Sequence, residues 1–387
     1  MATISSYATA AGDRYRVRYR TPDHRQTDKR GFRTLKEARA FAATVEVAKL
    51  RGEYVSEAAG RVTVGTLGAA RLERRRATLK PSTWHSESSA WRVHVEPRWG
   101  SEPIGKIRAS AVEAWIAQLH STGLSATTIA RAHGVLHGIL TDAVRDRQVS
   151  TNAAAKLKLP RKSPAPRAYL THRQVDALAN ATRTAEQAAI IRALAYTGLR
   201  WGELTGLRVR NLDLLRRRIH VAENAVKVGS EIITGTPKTH EKRSVPFSPF
   251  LRRILTERVE GKNRDALVFG NGVDHIRPPA TDHAWFAAAA NRARADDETF
   301  PEKLTPHDLR HTAASLAIAS GASVLLIQRM LGHASAAMTL DTYADLFDTD
   351  LDAVGDSLER ARSSALGRGQ SRRLVGKVWA KRRNRKR

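Results

Sequence analysis

Three stretches of this sequence gather side chains that could handle an anion. In ALAYTGLRWGELTGL, residues 193–207, a helix ends at Gly198 and a second begins almost at once, with Arg200 at the corner and Glu203 one turn later. Taken alone, an Arg and a Glu so spaced read as an ordinary surface ion pair of little energetic weight. In LTPHDLRHTAASLAIASG, residues 304–321, the spacing predicts a helix capped by Thr305, with Pro306 at the first helical position and Asp308 at the third. His307, Arg310 and His311 share a face, while Leu309, Ala313 and Leu316 supply a core face. Cationic groups at a helix N-terminus oppose its dipole by about 0.3–1 kcal/mol, a placement that makes sense when an anion lies in front. A DNA-contacting or capping histidine without a catalytic part is the plainer reading of that segment. In LIQRMLGHASAAMTLDTYADL, residues 326–346, a helix ends at Gly332, His333 follows, and Tyr343 lies in a short helical stretch, where a lone tyrosine is ordinarily a half-buried core residue.

Composition narrows the partners of such a constellation. The 387 residues exceed one typical domain and predict two or three. Lys and Arg number 66 against 38 Asp and Glu, a net charge of +28 that points to a polyanion, with nucleic acid foremost. No apolar run approaches the roughly 20 residues of a spanning helix, so the expectation is a soluble cytoplasmic protein without a membrane partner. The absence of Cys excludes disulfides, thiolate zinc sites and cysteine nucleophiles. Covalent chemistry must then use another residue.

The elements that position these residues are legible as a succession of periodicities. Asp13–Arg20 alternates strictly, Tyr15, Val17 and Tyr19 on one face and Arg14, Arg16, Arg18 and Arg20 on the other, which predicts a strand with a basic face that could lie against DNA. Arg30–Arg33 could pair with it, and Thr34 with Glu37 forms a capping box opening a helix through Phe41, Val45 and Ala48. From Val62 to Leu159 the pattern is helical, with a break at Pro81, a capping box of Ser110 with Glu113, and a long helix capped by Ser125. KLKLPRKSPAPRA, Lys156–Ala168, has three prolines and reads as an extended linker. Helices from Thr171 to Tyr196 follow, then strands near 217–222, 231–236 and 244–247, then helices to about 362. The segment 361–387 holds 11 Lys or Arg and no acid, and is expected to be disordered when free. The expected fold is multidomain and mainly α. Residues 1–60 form a small three-stranded sheet plus helix, 61–160 a helical domain, 161–170 a linker, 171–360 a mixed α/β, mostly α, domain, and 361–387 a basic tail.

Taken in order, TGLRWGEL, TPKTHEKRSVPF, HDLRH, LGH and the following Tyr closely resemble the catalytic domain of the tyrosine recombinase (phage integrase) family. The resemblance is specific from Thr197 to Leu346 and one of layout elsewhere. It implies that Arg200 and Arg310 are the catalytic arginines, Glu203 the acid supporting the first, and Lys238 the lysine on a turn between strands, with Lys242 and Arg243 close by. It also implies that His307, His333 and the nucleophile Tyr343 complete the set. The N-terminal sheet looks like the arm-binding domain of the larger phage integrases, and the helical domain like their core-binding domain.

Such a family member cleaves and rejoins DNA through a 3′-phosphotyrosine, needing neither ATP, metal nor other cofactor. A tyrosyl phosphate ester keeps the energy of the broken bond for rejoining. Two arginines neutralise the non-bridging oxygens, Lys238 protonates the leaving 5′ oxygen, His307 assists the tyrosine's deprotonation and His333 bonds the phosphate. Implied partners are double-stranded DNA at core and arm sites, a homotetramer exchanging strands through a Holliday junction, and with them a host DNA-bending protein and an excision factor. A type IB topoisomerase shares the chemistry but lacks the Leu-Gly-His element and the small sheet domain. A repressor that kept the fold without the reaction would have lost at least one of these positions.

Overall fold

The computed structural model describes all residues except 1, 23, 52, 53, 57, 163–166, 236–242, 280–283, 348–354, 357 and 367–387. It is mainly helical and divides into two compact units, Met1–Ala165 and Pro166–Arg387.

In the first unit, β1 (Thr3–Thr9), β2 (Gly12–Arg20) and β3 (Gln26–Phe32) form an antiparallel sheet in the order β1-β2-β3. Along β2 Val17 is fully buried and Tyr15 and Tyr19 are half-buried, but of the four arginines only Arg18 and Arg20 are exposed; Arg14 and Arg16 are half-buried, next to a register shift between Tyr15 and Arg16 in the pairing with β3. α1 (Leu35–Leu50) covers the apolar face, placing Phe41 5.2 Å from Phe32 and 5.9 Å from Tyr19 between ring centroids. Thr34 Oγ1 accepts from the Glu37 N–H at 3.2 Å, as expected, but the Glu37 carboxylate reaches one residue further back, to the N–H of Arg33.

The helical part runs α2 (Val64–Arg76), α3 (Pro81–Ala90), a π-helical turn (Trp91–Val95), α4 (Glu96–Trp99), α5 (Ala109–Ser121) and α6 (Ala126–Arg145). Pro81 opens α3 at a position whose N–H has no helical acceptor. Trp91, Val95, Trp99 and Trp115 close on Ile129, Leu136, Ile139 and Leu140 of α6 to make one core. Gly68 is required by it, since a Cβ there would lie 2.2 Å from the Trp91 ring. The expected Ser110–Glu113 box is not formed. α5 starts two residues earlier, after an extended Arg108 without a side-chain cap, which puts Ser110 inside the first turn, where its backbone is already helical. Ser125 caps α6 as expected, accepting from the Thr128 N–H.

In the second unit, α7 (His172–Asn180), α8 (Ala185–Thr197) and α9 (Trp201–Thr205) precede the strands β4 (Leu212–Asp213), β5 (Arg218–Val221), β6 (Asn224–Val228), β7 (Glu231–Gly235) and β8 (Arg243–Pro246). β4-β5-β8 make one antiparallel sheet and β6-β7 a hairpin; β4 and β6 have no counterpart among the sequence expectations. Helices α10 (Pro249–Val259), α11 (Trp285–Ala295), α12 (Asp308–Ala319), α13 (Val324–Leu331) and α14 (Ala336–Phe347) follow. The core centres on α8, where Ile190, Ile191 and Leu194 meet Leu309 of α12 and Phe247 and Phe269. Residues 361–366 are helical, so the start of the basic tail has regular structure, and 367–387 lie outside the described residues. Among the described residues no helix is long and apolar enough to cross a membrane.

Candidate active site

Two helix ends aim the site. α8 closes on Gly198 with φ +65, a left-handed turn that frees the chain to double back; a Cβ there would lie 2.6 Å from Leu331. Arg200 then stands at the N-cap of α9, and Glu203 one turn on. α13 closes on Gly332 with φ +66, which releases His333 towards the same place. The start of α12 differs from expectation. It begins at Asp308, after His307, and the Asp308 carboxylate accepts from both the N–H and the hydroxyl of Thr305 at 2.7 Å. The acid of the first turn reaches back to Thr305 in place of a threonine capping forward.

Glu203 is 3% exposed and is the hub of the site. Its carboxylate accepts from the Arg200 N–H at 2.9 Å, from Arg200 Nη1 at 2.8 Å, and from Arg243 Nη1 and Nη2 at 2.9 and 2.6 Å. Burial pushes its pKa up, but the two guanidiniums, Arg243 foremost, and the backbone bond outweigh that and hold it at about 2. Arg310, as deeply buried, donates to the carbonyls of Gly198 and Leu331, both at 2.6 Å, and so ties together the two helix ends. Burial, and next the charge of Arg200, bring its pKa down to about 9. Arg243 also donates to the Met330 carbonyl and packs on Gly332, where a Cβ would come within 2.8 Å of its side chain.

Tyr343 is 2% exposed, and its hydroxyl lies 2.8 Å from His311 Nδ1. The His333 ring stacks parallel to it at 6.4 Å between centroids while His333 Nδ1 contacts Thr339 Oγ1 at 2.9 Å. His307 stands edge-on to His311 at 5.0 Å. Burial raises the Tyr343 pKa to about 12 against the opposing charge of Arg310. Burial, then the nearby arginines, lower His333 to about 4; burial, then His307, lower His311 to about 4; burial and Arg310 lower His307. The histidines are therefore neutral at pH 7.

Arg200, Glu203, His307, Arg310, His333 and Tyr343 thus come from four separated segments into one electrostatically coupled site. Lys238 lies outside the described residues. Arg14, Arg16, Arg18 and Arg20 belong to the other unit; Arg16 is tied to Ser5 Oγ at 2.8 Å. Sequence reasoning missed Arg243 as the second partner of Glu203 and His311 as the partner of Tyr343. The signal for His311 was its place four residues after His307, on the same helical face. Arg167, from the proline-rich segment, holds the Thr342 carbonyl at 2.5 Å and was not foreseen either. Among the described residues no three His, Asp or Glu side chains group so as to hold a metal ion. Arg200 and Arg243 bonded to Glu203, with Arg310 electrostatically coupled to all three and to Tyr343, leave a surplus of positive charge, an arrangement suited to an anionic ester.

Residues 168–350 match the family model described as the Phage integrase family. The integrase of Mycobacterium phage D29 is 28% identical over 260 residues, covering 64% of this chain and 66% of that protein. The chain therefore spans just under two thirds of that relative's length. Among solved structures, the integrase of the Tn1549 transposon in complex with transposon right end DNA aligns with a TM-score of 0.64 at 22% identity, over 76% of this chain and all of that one. A lambda integrase tetramer bound to a Holliday junction aligns at 0.53 and 16% identity, over 86% of this chain and 96% of that one. Both share the fold. The motifs, their convergence on one site and these matches agree: residues 168–350 form a domain of the Phage integrase family.

Proposed function

We propose that the chain is a site-specific DNA recombinase, an integrase that cleaves and rejoins DNA strands through a 3′-phosphotyrosine at Tyr343. The observation that carries this reading is the cluster of Arg200, Arg243 and Arg310 gathered about the buried Glu203, with the charge of Arg310 acting on Tyr343. A phosphodiester entering the site supplies the missing negative charge. Arg200 and Arg310 neutralise the non-bridging oxygens in the transition state, where preorganised donors are each worth about 10²–10³ in rate. His333, its Nδ1 engaged by Thr339, has Nε2 left for the same phosphate. Lys238 is the general acid for the 5′ oxygen, and His307 lines the site beside the attacking group. Glu203 positions the first arginine.

The partner is double-stranded DNA. The relatives whose structures carry DNA, and the lambda tetramer on a Holliday junction, support a homotetramer at a core site. The basic face of β2, with Arg14, Arg16, Arg18 and Arg20, is assigned to arm sites, and residues 61–160 to the core. A host DNA-bending protein and an excision factor are further partners of this reaction. The place of action is the bacterial cytoplasm, at the nucleoid.

An integrated element should end in short direct repeats near the gene. Purified protein, with a chelator present and no ATP, is expected to recombine two DNA molecules carrying that repeat; supply of the bending protein is part of the assay. Failure under both conditions, with DNA binding intact, would remove the reading. Deleting residues 1–60 is expected to abolish retention of arm-site DNA in a gel while leaving cleavage of a core-site duplex. Loss of both would place the boundary between arm and core functions elsewhere.

A further inference from the structure

We propose that His311 is the group that takes the proton from Tyr343 as the tyrosine attacks DNA, and returns it on rejoining; this rests on Tyr343 being the nucleophile. His311 follows Arg310 on α12, so the helix that fixes a phosphate-binding arginine also fixes the imidazole, and its Nδ1 lies 2.8 Å from the Tyr343 hydroxyl. That is within the reach required of a general base. His307, one turn earlier, meets the His311 ring instead. His333 stacks on the tyrosine ring and engages Thr339, an orientation suited to a phosphate oxygen.

The proton inventory closes. With its own proton on Nε2, His311 offers the Nδ1 lone pair. The Tyr343 oxygen forms a bond to phosphorus, the bond from phosphorus to the 5′ oxygen breaks, the phenolic proton moves to Nδ1, and the 5′ oxygen receives its proton from Lys238. Rejoining reverses each transfer and restores both groups. Burial leaves Tyr343 almost wholly protonated at pH 7, on the order of one phenolate in 10⁵ from a pKa of about 12, so attack needs a partner for that proton. Burial also keeps His311 neutral and able to accept. As the oxygen bonds to phosphorus its acidity rises steeply, and the transfer becomes downhill. The groups that face His311 are His307 just before α12, Asp308 and Arg310 on α12, Arg167 from the segment before α7, His333 after α13, and Tyr343 on α14.

His311→Asn tests this, because its amide oxygen falls near Nδ1 and can accept the tyrosine's hydrogen bond but not its proton. Single-turnover formation of the covalent adduct is measured with the full chain on a nicked duplex carrying the flanking repeat, from pH 7 to 9.5. The variant is expected to bind DNA normally and to form adduct at least about 10²-fold more slowly. Its rate should climb about tenfold per pH unit as hydroxide replaces the base, while that of the parent protein stays nearly flat. A duplex with sulfur as the bridging 5′ atom, whose leaving group needs no acid, should not rescue it. A rate within about threefold of the parent with the same pH profile, or rescue by the sulfur duplex, overturns the assignment. Should His311→Asn fail to fold, as judged by loss of DNA binding, His311→Gln is measured by the same criteria. Adduct formed by Tyr343→Phe would instead overturn the nucleophile reading on which the proposal rests.

Discussion

Tyr343→Phe is expected to abolish the covalent protein–DNA adduct completely while leaving DNA binding close to that of the parent chain. The substitution removes one oxygen from a side chain that is 2% exposed and keeps the ring, so the stacking on His333 and the edge contact with His311 survive. What is lost structurally is one hydrogen bond, to His311 Nδ1, a change of about 1 kcal/mol. What is lost chemically is the atom that bonds to phosphorus, for which no neighbouring group substitutes at that place. Denaturing gels on a nicked duplex read the adduct and native gels the binding. Adduct in the variant would move the nucleophile elsewhere.

Glu203→Gln carries the second large effect, and it is felt in both stability and rate. The carboxylate of Glu203, itself 3% exposed, accepts two bonds from Arg200 and two from Arg243, and a Gln amide cannot repeat that pattern without turning its own NH₂ towards a guanidinium. Losing the buried counter-charge of two arginines costs about 3 kcal/mol, at the low end of what breaking a buried ion pair costs. The pH dependence has a definite sign. The folded pKa of about 2 lies below the ordinary value of 4.5, so the stabilisation from the charged form is complete above about pH 4.5 and is lost as pH falls towards 2. The urea midpoints of parent and variant should therefore differ at pH 7 and converge as pH falls below 4. Adduct formation at pH 7 should drop by about 10²-fold, because Arg200 loses its anchor. Equal stability at pH 7 would mean that Glu203 is not the electrostatic hub.

How much of this was legible in the sequence depended on whether the signal was local. The strand period of β2, the cap of α6 by Ser125 and the glycine stops at Gly198 and Gly332 were readable because each is decided within a few residues. The starts of α5 and α12 were each misplaced by two residues. In α12, Asp308 reaches back to Thr305, and either residue could have been the cap by type alone. β4 and β6 escaped because two to five residues carry too little periodicity, and β6 is supported by a tertiary contact. Gly202 lets α9 approach it so closely that a Cβ would sit 2.4 Å from the Ala225 carbonyl.

The site was legible as a set of residue types in order, and hidden as a set of contacts. Arg200, His307, Arg310, His333 and Tyr343 could be named from their motifs, but that Arg310 is buried and joins the carbonyls of Gly198 and Leu331 follows only from packing. The same holds for Arg243, which looked like a neighbour of Lys238 and proves to be the main partner of Glu203. It holds again for His311, which had to be placed across from α14 before its role could be argued.

The most direct test of the account is to identify the residue that carries DNA. The full chain is trapped on a nicked duplex of the flanking repeat, the complex is digested with protease and nuclease, and the nucleotide-bearing peptide is sequenced by mass spectrometry. The account predicts one modified peptide, with a 3′-nucleotide phosphate on Tyr343. A nucleotide on any other residue, or one joined through a 5′ phosphate, would contradict it.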